Sequence, residues 1–287
     1  YAPLPNISGY TGQYKNVGAI NNKGLEISLN ADVIRTSKFQ WTSDFNIGFN
    51  RNRVTELYGG KPELKGLKRL EEGRDMDEWY LREWAGVDPA NGSPLWYTTD
   101  ENGKRTTTDS YNKAARVYCG SAAPKFTGGW MNSFSYKGFT LTANFDFVYG
   151  NLLYNQSREL LDSDGAYADY NSMKLKSGWK RWEKEGDIAT HPKAINGGNK
   201  NSNKSSSRYL EKGNYFSLRN LSLGYSIPEK LCGKLGLQRV NVSCSADNLF
   251  TLTPFSGVSP QLSDSSTDGY AGTIYPLSRR IVFGLNV

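Results

Sequence analysis

The sequence has no run of roughly 20 consecutive apolar residues, the length a membrane-spanning helix requires. Its most apolar stretch, 139–154, is broken by Thr140, Thr142, Asn144 and Asp146, so helical membrane insertion is excluded. Only 37% of the 287 residues are hydrophobic and the mean hydropathy is −0.61, low for a chain long enough to bury a sizeable core. Histidine is nearly absent. The single His191 sits in Thr190-His191-Pro192 with no nucleophile motif or metal-spaced cluster beside it, which leaves a catalytic reading without its inventory and His191 as an ordinary loop residue. Cysteine is scarce and odd in number. Cys119, Cys232 and Cys244 lack C-x-x-C spacing, so they declare neither a disulfide framework nor a zinc site and read as unpaired, inert thiols. An initiator Met and an apolar signal region are missing as well, so the chain reads as part of something longer. The net charge is +7, but Lys and Arg are spread along the chain among 28 acidic residues, which argues against nucleic acid as a partner.

What the sequence does have is aromatics, at 13%, and 30 glycines, a balance that favours strands and turns. The decisive signal is a period of two sustained for about ten residues at a time, as a tilted transmembrane strand requires. Between positions 25 and 33, Leu25, Ile27, Leu29, Ala31 and Val33 alternate with Glu26, Ser28, Asn30 and Asp32. After the short turn 35–38 the pattern resumes as Phe39, Trp41, Phe45, Ile47 and Phe49, which reads as an antiparallel hairpin. A second hairpin places Trp130, Phe134 and Tyr136 before a tight Lys137-Gly138 turn, followed by Phe139, Leu141, Ala143, Phe145, Phe147 and Tyr149. Further strands are expected over 215–227 (Leu221, Leu223, Tyr225, Ile227), 237–250 (Val240, Val242, Cys244, Ala246) and 279–287 (Ile281, Phe283, Leu285, Val287). Two weaker strands, near 78–87 and 94–99, flank the turn-like segment 88–92 and bring the total to about nine.

Such strands occur in a soluble β-sandwich or in a transmembrane β-barrel. Sandwich strands are usually about five or six residues, shorter than these. The polar faces here carry the Asn, Asp, Thr and Ser of a water-filled lumen, and Tyr136, Phe139, Tyr149, Tyr225 and Phe250 gather near strand ends as girdles do. An all-β fold is therefore expected, an antiparallel transmembrane barrel with the apolar positions Leu25, Ile27, Leu29, Leu141, Phe145, Leu221 and Leu223 turned to lipid. The connections 51–77, 100–125, 151–213 and 251–277 are long and polar while the others are short. Barrels place long loops outside and short turns in the periplasm.

Several blocks then resemble the SusC/RagA-like family of TonB-dependent outer-membrane transporters. Asn16-Val17-Gly18 with Asn22-Lys23-Gly24-Leu25-Glu26 is similar to that family's strand entry, and Asn50-Arg51-Asn52-Arg53-Val54 to the segment that follows its first hairpin. The stretch 124–139 resembles its P-x-x-x-GG-x-x-N-x-x-x-Y-K-G-F block, and 206–228 its SSR-x-LEKG-x-Y-x-x-L-R-N-x-x-LGY-x-x-P block. Asp247-Asn248-Leu249-Phe250, Tyr275-Pro276-Leu277-Ser278-Arg279 and Phe283-Gly284-Leu285-Asn286-Val287 look like its closing signature. The resemblance implies the C-terminal portion, 1–287, of a barrel of about 22 strands with a plugged lumen. It also implies TonB-dependent import of a glycan or peptide under a SusD-like surface lipoprotein lid, with the plug and the region contacted by TonB–ExbB–ExbD outside this chain. The alternative is a non-enzymatic surface glycan-binding β-sandwich. Outer-membrane lipid and an oligosaccharide or oligopeptide are then the expected partners, the lid resting on 151–213, and the final strand is expected to run about two residues further to an aromatic.

Candidate ligand-binding residues are few. Asp162-Ser163-Asp164-Gly165, with Asp169 beyond, could offer oxygens to Ca²⁺ in a loop, although the full spacing and terminal Glu of a calcium loop are missing. Trp179 and Trp182 could stack on a sugar or anchor a short helix.

Overall fold

The computed structural model describes residues 2–15, 18–234, 236–262, 269–272 and 274–287; Asn16 and Val17 of the strand-entry block lie outside them. Seven long strands form one antiparallel sheet: β1 (Ala19–Arg35), β2 (Phe39–Glu56), β3 (Phe126–Tyr136), β4 (Phe139–Tyr149), β5 (Tyr215–Ser226), β6 (Asn241–Leu252) and β7 (Arg280–Asn286). Their spatial order is their order in the chain. Such an up-and-down meander is one wall of a barrel.

Register converts the alternation of each strand into rungs. Leu29, Phe45, Trp130, Phe145, Leu218 and Phe250 lie opposite one another across six strands, and the next rung is Asn30, Asp44, Met131, Asn144, Asn220, Asp247 and Arg280. A one-residue slip would turn every apolar side chain to the wet face, which pins the register. All seven residues expected on the lipid face fall on apolar rungs. The face is open: Leu25, Leu29, Leu223 and Phe283 are exposed, whereas the hydrophobic clusters of the described residues are built from loops. A β-sandwich would have buried these rungs against a second sheet, so that alternative fails.

One break in the alternation is useful. Counting in twos from Leu221 would put Arg219 on the apolar face, where a cation near mid-membrane costs about 2–4 kcal/mol. A bulge between β5 and both its neighbours removes Arg219 from the count, so Leu218 takes the apolar place opposite Phe145. Arg219 instead approaches Asp146 at 3.6 Å. The indole N–H groups of the apolar face are also satisfied there, Trp41 donating to Asn132 Oδ1 at 3.0 Å and Trp130 to Ser43 Oγ at 2.9 Å, as hydrocarbon demands.

Aromatic rows close both margins. At one end Tyr136, Phe139 and Tyr225 are opposite one another, with the Phe139 and Tyr225 rings 4.3 Å apart; at the other Phe126 stacks on Tyr149 at 5.1 Å and lies 5.8 Å from Phe49. Ten residues separate Phe126 from Tyr136, about 34 Å along a strand and about 24 Å once tilted by 45°, which matches the apolar band of a barrel.

Short connections, 36–38, 137–138 and 227–240, all leave one end. Lys137 and Gly138 both take positive φ (46° and 86°), the two-residue turn that Gly favours and that matches strand twist. A short helix, Glu229–Lys234, fills the third connection, and β6 starts at Asn241, later than the expected 237. The long connections 57–125, 150–214 and 253–279 leave the other end and fold into a cap.

Here the structure corrects the strand count. Residues 78–87 and 94–99 are strands, but not of the wall. Glu78–Arg82 pairs with Arg116–Ser121 and Lys68–Leu70, and Pro94–Thr99 with Trp84–Val87 and Arg105–Thr108, in two small sheets within the cap. The described wall therefore holds seven strands rather than nine, and turn 88–92 belongs to the loop end. Removing a pair leaves the parity intact, so every long loop still emerges on one side. Strands of four to six residues, buried or half-buried over almost their whole length, suit a water-soluble core, and that is where they go.

Candidate substrate-facing surface

Three loops build the cap together. Leu152–Asn155 pairs antiparallel with Leu210–Lys212 and parallel with Tyr270–Ala271, so the second and third loops share a sheet. Trp79, Leu81, Ala122, Tyr154 and Tyr209 are buried as one core drawn from the first and second loops. Trp79 donates its indole N–H to the Leu152 carbonyl at 3.0 Å, and Tyr270 accepts from the Leu67 N–H at 3.1 Å, tying in the third.

Beside that core lies a buried ionic cluster. Asp162 accepts from Arg158 at 2.7 Å, from His191 Nε2 at 3.1 Å and from Arg208 at 3.3 Å; Asp164 accepts from Arg181 at 2.6 Å and from both terminal nitrogens of Arg208. Arg158 also meets Glu211 at 3.0 Å, and Glu211 in turn holds the Ser256 backbone N–H and hydroxyl of the third loop. Three arginines thus balance three carboxylates. Burial pushes the Asp162 carboxyl up, but the hydrogen bond from His191 and the fields of Arg208 and Arg158 outweigh it and hold it down at about 2. The Arg208 guanidinium, although buried, is held above its ordinary value by Tyr209, Asp164 and Asp162.

The sequence-predicted candidates lie in or near this cluster. The oxygens of Asp162 and Asp164 that a calcium ion would need are occupied by guanidinium groups, and Asp169 is exposed and apart from them. Among the described residues no group of three or more possible ligands could hold a metal. Trp182 is buried, its indole N–H donated to Pro89 O at 2.9 Å, and it packs where a Cβ on Gly92 would stand 2.6 Å from its ring. Trp179 is half-buried between the Arg158 guanidinium at 4.5 Å and the His191 ring at 5.0 Å. Both tryptophans are anchors rather than open platforms, and the segment they anchor is irregular, not the expected short helix. His191 is no ordinary loop residue: it is buried, bonded through both ring nitrogens to Asp162 and Thr190. The sequence held a signal for this in the Ser-Ser-Arg-Tyr-Leu-Glu-Lys-Gly string at 206–213, whose Arg208 and Glu211 needed partners of opposite charge.

Two polar surfaces remain open. The wet face of the wall carries paired groups, with Asn220 donating to Asp247 at 2.7 Å, Arg280 Nε to the same carboxylate at 2.9 Å, and Tyr215 to Asp146 at 3.0 Å. Within the cap, a cavity of about 640 Å³ is lined by Glu83, Tyr97, Thr99, Arg105, Tyr118 and Cys119 among others. Arg105 lies 3.7 Å over the Tyr97 ring and bonds Glu83 at 2.9 Å, so an aromatic face, a cation and an acid converge. Burial pushes the Cys119 thiol up to about 11, so it lines the cavity as a neutral group and not as a nucleophile. Such a lining offers binding by stacking and hydrogen bonds to a polar chain.

No protein-family model matches the chain. TonB-dependent receptor P3 of Formosa agariphila is 29% identical over an alignment of 321 residues that covers 99% of this chain and 30% of that receptor. TonB-dependent receptor SusC of Bacteroides thetaiotaomicron is 23% identical over 298, covering 95% of this chain and 27% of its own length. In structure, the chain is similar to the RagAB peptide transporter with a TM-score of 0.83 and 27% identity, over 99% of this chain and 31% of that one. The chain thus spans about a third of the length of the relatives it matches. Wall and cap alike fall within these alignments, and over nearly its whole length the chain is similar to a segment of the SusC/RagA-like TonB-dependent receptors.

Proposed function

We propose that the chain is the C-terminal barrel portion of a receptor that imports a glycan or peptide nutrient across the outer membrane. TonB–ExbB–ExbD would act on the part of the receptor outside this chain, and a SusD-like lipoprotein would close the loop end as a lid. The observation that carries this reading is the match to the RagAB peptide transporter over 99% of the chain, cap included. Loops are the most variable part of a scaffold, so a shared cap supports a shared task more than a shared wall does. The chain matches RagAB in its 'closed-closed' and 'open-open' states with the same TM-score, 0.83. That favours a division of labour in which opening moves a partner or the plug and leaves this segment unchanged.

The cap cavity supplies the first contacts for cargo, Tyr97 and Arg105 by stacking and Glu83 and Thr99 by hydrogen bonding. Uptake of labelled oligopeptides and oligosaccharides by cells carrying the full receptor tests the reading. Uptake is expected to vanish without TonB and to fall roughly tenfold in Arg105→Ala, the loss of one to two kcal/mol of cation contact. Uptake undiminished in cells lacking TonB would sink it. The lid is tested by hydrogen exchange, where partner binding should protect amides within 151–213; protection confined to turn 36–38 would place the partner at the wrong end.

A further inference from the structure

The first two strands are longer than a membrane requires. β1 and β2 have 17 and 18 residues, and both continue past the rung of Leu25 and the aromatic row of Phe49, Phe126 and Tyr149 at the loop end. Counting onward in twos along the apolar face, the next rung is Lys23 opposite Arg51, and the one beyond it is Asn21 opposite Arg53. The other face of the same stretch carries Gly24, Asn22, Asn50 and Asn52, without a cation. The three positive charges at this level are therefore sorted onto the lipid side.

The height is informative. One rung is about 7 Å along a strand and about 5 Å along the membrane normal at 45° tilt, and the second doubles both. The headgroup layer is about 5–7 Å deep on each side of the hydrocarbon. Lys23 and Arg51 thus stand level with headgroups, and Arg53 just above them. Mere avoidance of hydrocarbon would scatter cations to any wet position. It does not explain why they share one face of two adjoining strands.

A cleft opens at the same place. β2 pairs with β3 only as far as Gly48 opposite Thr127; above that, β2 runs on with β1 while the backbone of residues 73–74 bonds to Val54 on its other side. The parting leaves a cleft of about 820 Å³ whose lining includes Lys23, Arg51, Arg53, Lys125, Asn21 and Asp75, and reaches Asn50 and Asn52 of the other face. Asp75 is already engaged, accepting from the Ser121 hydroxyl and the Asp77 N–H. Lys23, Arg51 and Arg53 are exposed, and among the described residues none of the four cations has a carboxylate partner. Guanidinium forks match the paired oxygens of a phosphate.

We propose that this cleft binds the phosphorylated headgroup of an anionic lipid in the outer leaflet. Lys23 and Arg51 would clamp a phosphate at headgroup level, with Arg53 and Lys125 completing its charge and Leu25 and Phe49 beneath seating the acyl chains. The proposal needs the wall to span a membrane and is independent of what the receptor carries.

The full receptor, extracted and exchanged into phosphatidylcholine nanodiscs doped with lipid A, provides the test, read by native mass spectrometry of retained lipid. A gain of about fivefold per cation at a membrane surface, taken over the four cations, predicts a preference of about six-hundredfold for the phosphorylated lipid in the wild type. Lys23→Gln/Arg51→Gln/Arg53→Gln should reduce that preference to a few-fold, while Lys38→Gln/Lys137→Gln at the opposite end leaves it unchanged. Arg51→Gln alone, a milder change for folding, should cost about fivefold. Equal retention by wild type and the triple variant overturns the proposal, and so does loss of retained lipid to millimolar inorganic phosphate, which would assign the cleft to a free anion. Retention that drops equally in the Lys38/Lys137 variant would show a diffuse charge effect and overturn the site.

Discussion

In the wall, Leu29 and Phe283 keep 60% and 79% of their surface open, whereas in the cap Trp79 and Trp96 keep none. The two regions share one chain and one composition, yet they dispose of apolar side chains in opposite directions. The wall turns them outward from a single layer, because its apolar solvent is lipid and its backbone is satisfied strand to strand. The cap turns them inward over a core assembled from three loops, because it stands in water. A consequence is that stability in the wall is distributed along rungs and insensitive to any one pair. In the cap it converges on a few buried groups, Trp79, Tyr209 and Arg208 above all.

That contrast can be broken at the cap first. Replacing Arg208 by Ala leaves Asp162 and Asp164 buried without their shared guanidinium, a loss of about 3–5 kcal/mol. The cap should then open to protease within 150–214 while the wall keeps its strand signal in circular dichroism. Simultaneous loss of both would mean that wall and cap are one cooperative unit.

The wall is tested by a neighbouring pair. Leu29→Arg puts a cation on the apolar rung beside Phe45 and should cost about 2–4 kcal/mol in a lipid-reconstituted folding titration. Asn30→Arg, on the wet rung where Asn30 now bonds Asp44, should cost under about 1 kcal/mol and gain an ion pair with that same carboxylate. Equal costs would contradict the assigned faces.

A smaller effect separates the regions by pH. Asp162 is held at about 2 against an ordinary 3.8. Its folded-state value is depressed, so the stability it contributes is fully present above 3.8 and is lost as pH falls through about 2. The magnitude is on the order of 2 kcal/mol. Five of the seven tryptophans lie in the cap, so intrinsic fluorescence should report an acid transition between about pH 4 and 2 that Arg208→Ala removes. An unchanged transition in that variant would mean that another carboxylate governs it.

These regions also differ in how far the sequence disclosed them. The wall was legible because a period of two is local: each residue's face follows from its neighbours, and the hairpin turns at 36–38 and 137–138 fix the register. The break at Arg219 and the bulge that resolves it came only from the pairing of β5 with its neighbours. The cap was not legible. Its strands at 78–87 and 94–99 alternate as wall strands do, and only the structure divides the first into strands of five and four residues. Asp162 and Asp164 looked like oxygen ligands because sequence shows carboxylates but not what faces them.

The sequence by itself determined that the chain spans a membrane with strands, which side chains meet lipid, and where the long loops leave, since each depends on spacing within ten residues. Only the tertiary structure decided that Arg158, Arg181 and Arg208 would neutralise Asp162, Asp164 and Glu211, that His191 would be buried, and that β2 would part from β3 to open a basic cleft. The ion pairs among them join residues up to 53 positions apart. Loop closure over such distances is set by packing and charge pairing across the whole cap, and no local pattern records it.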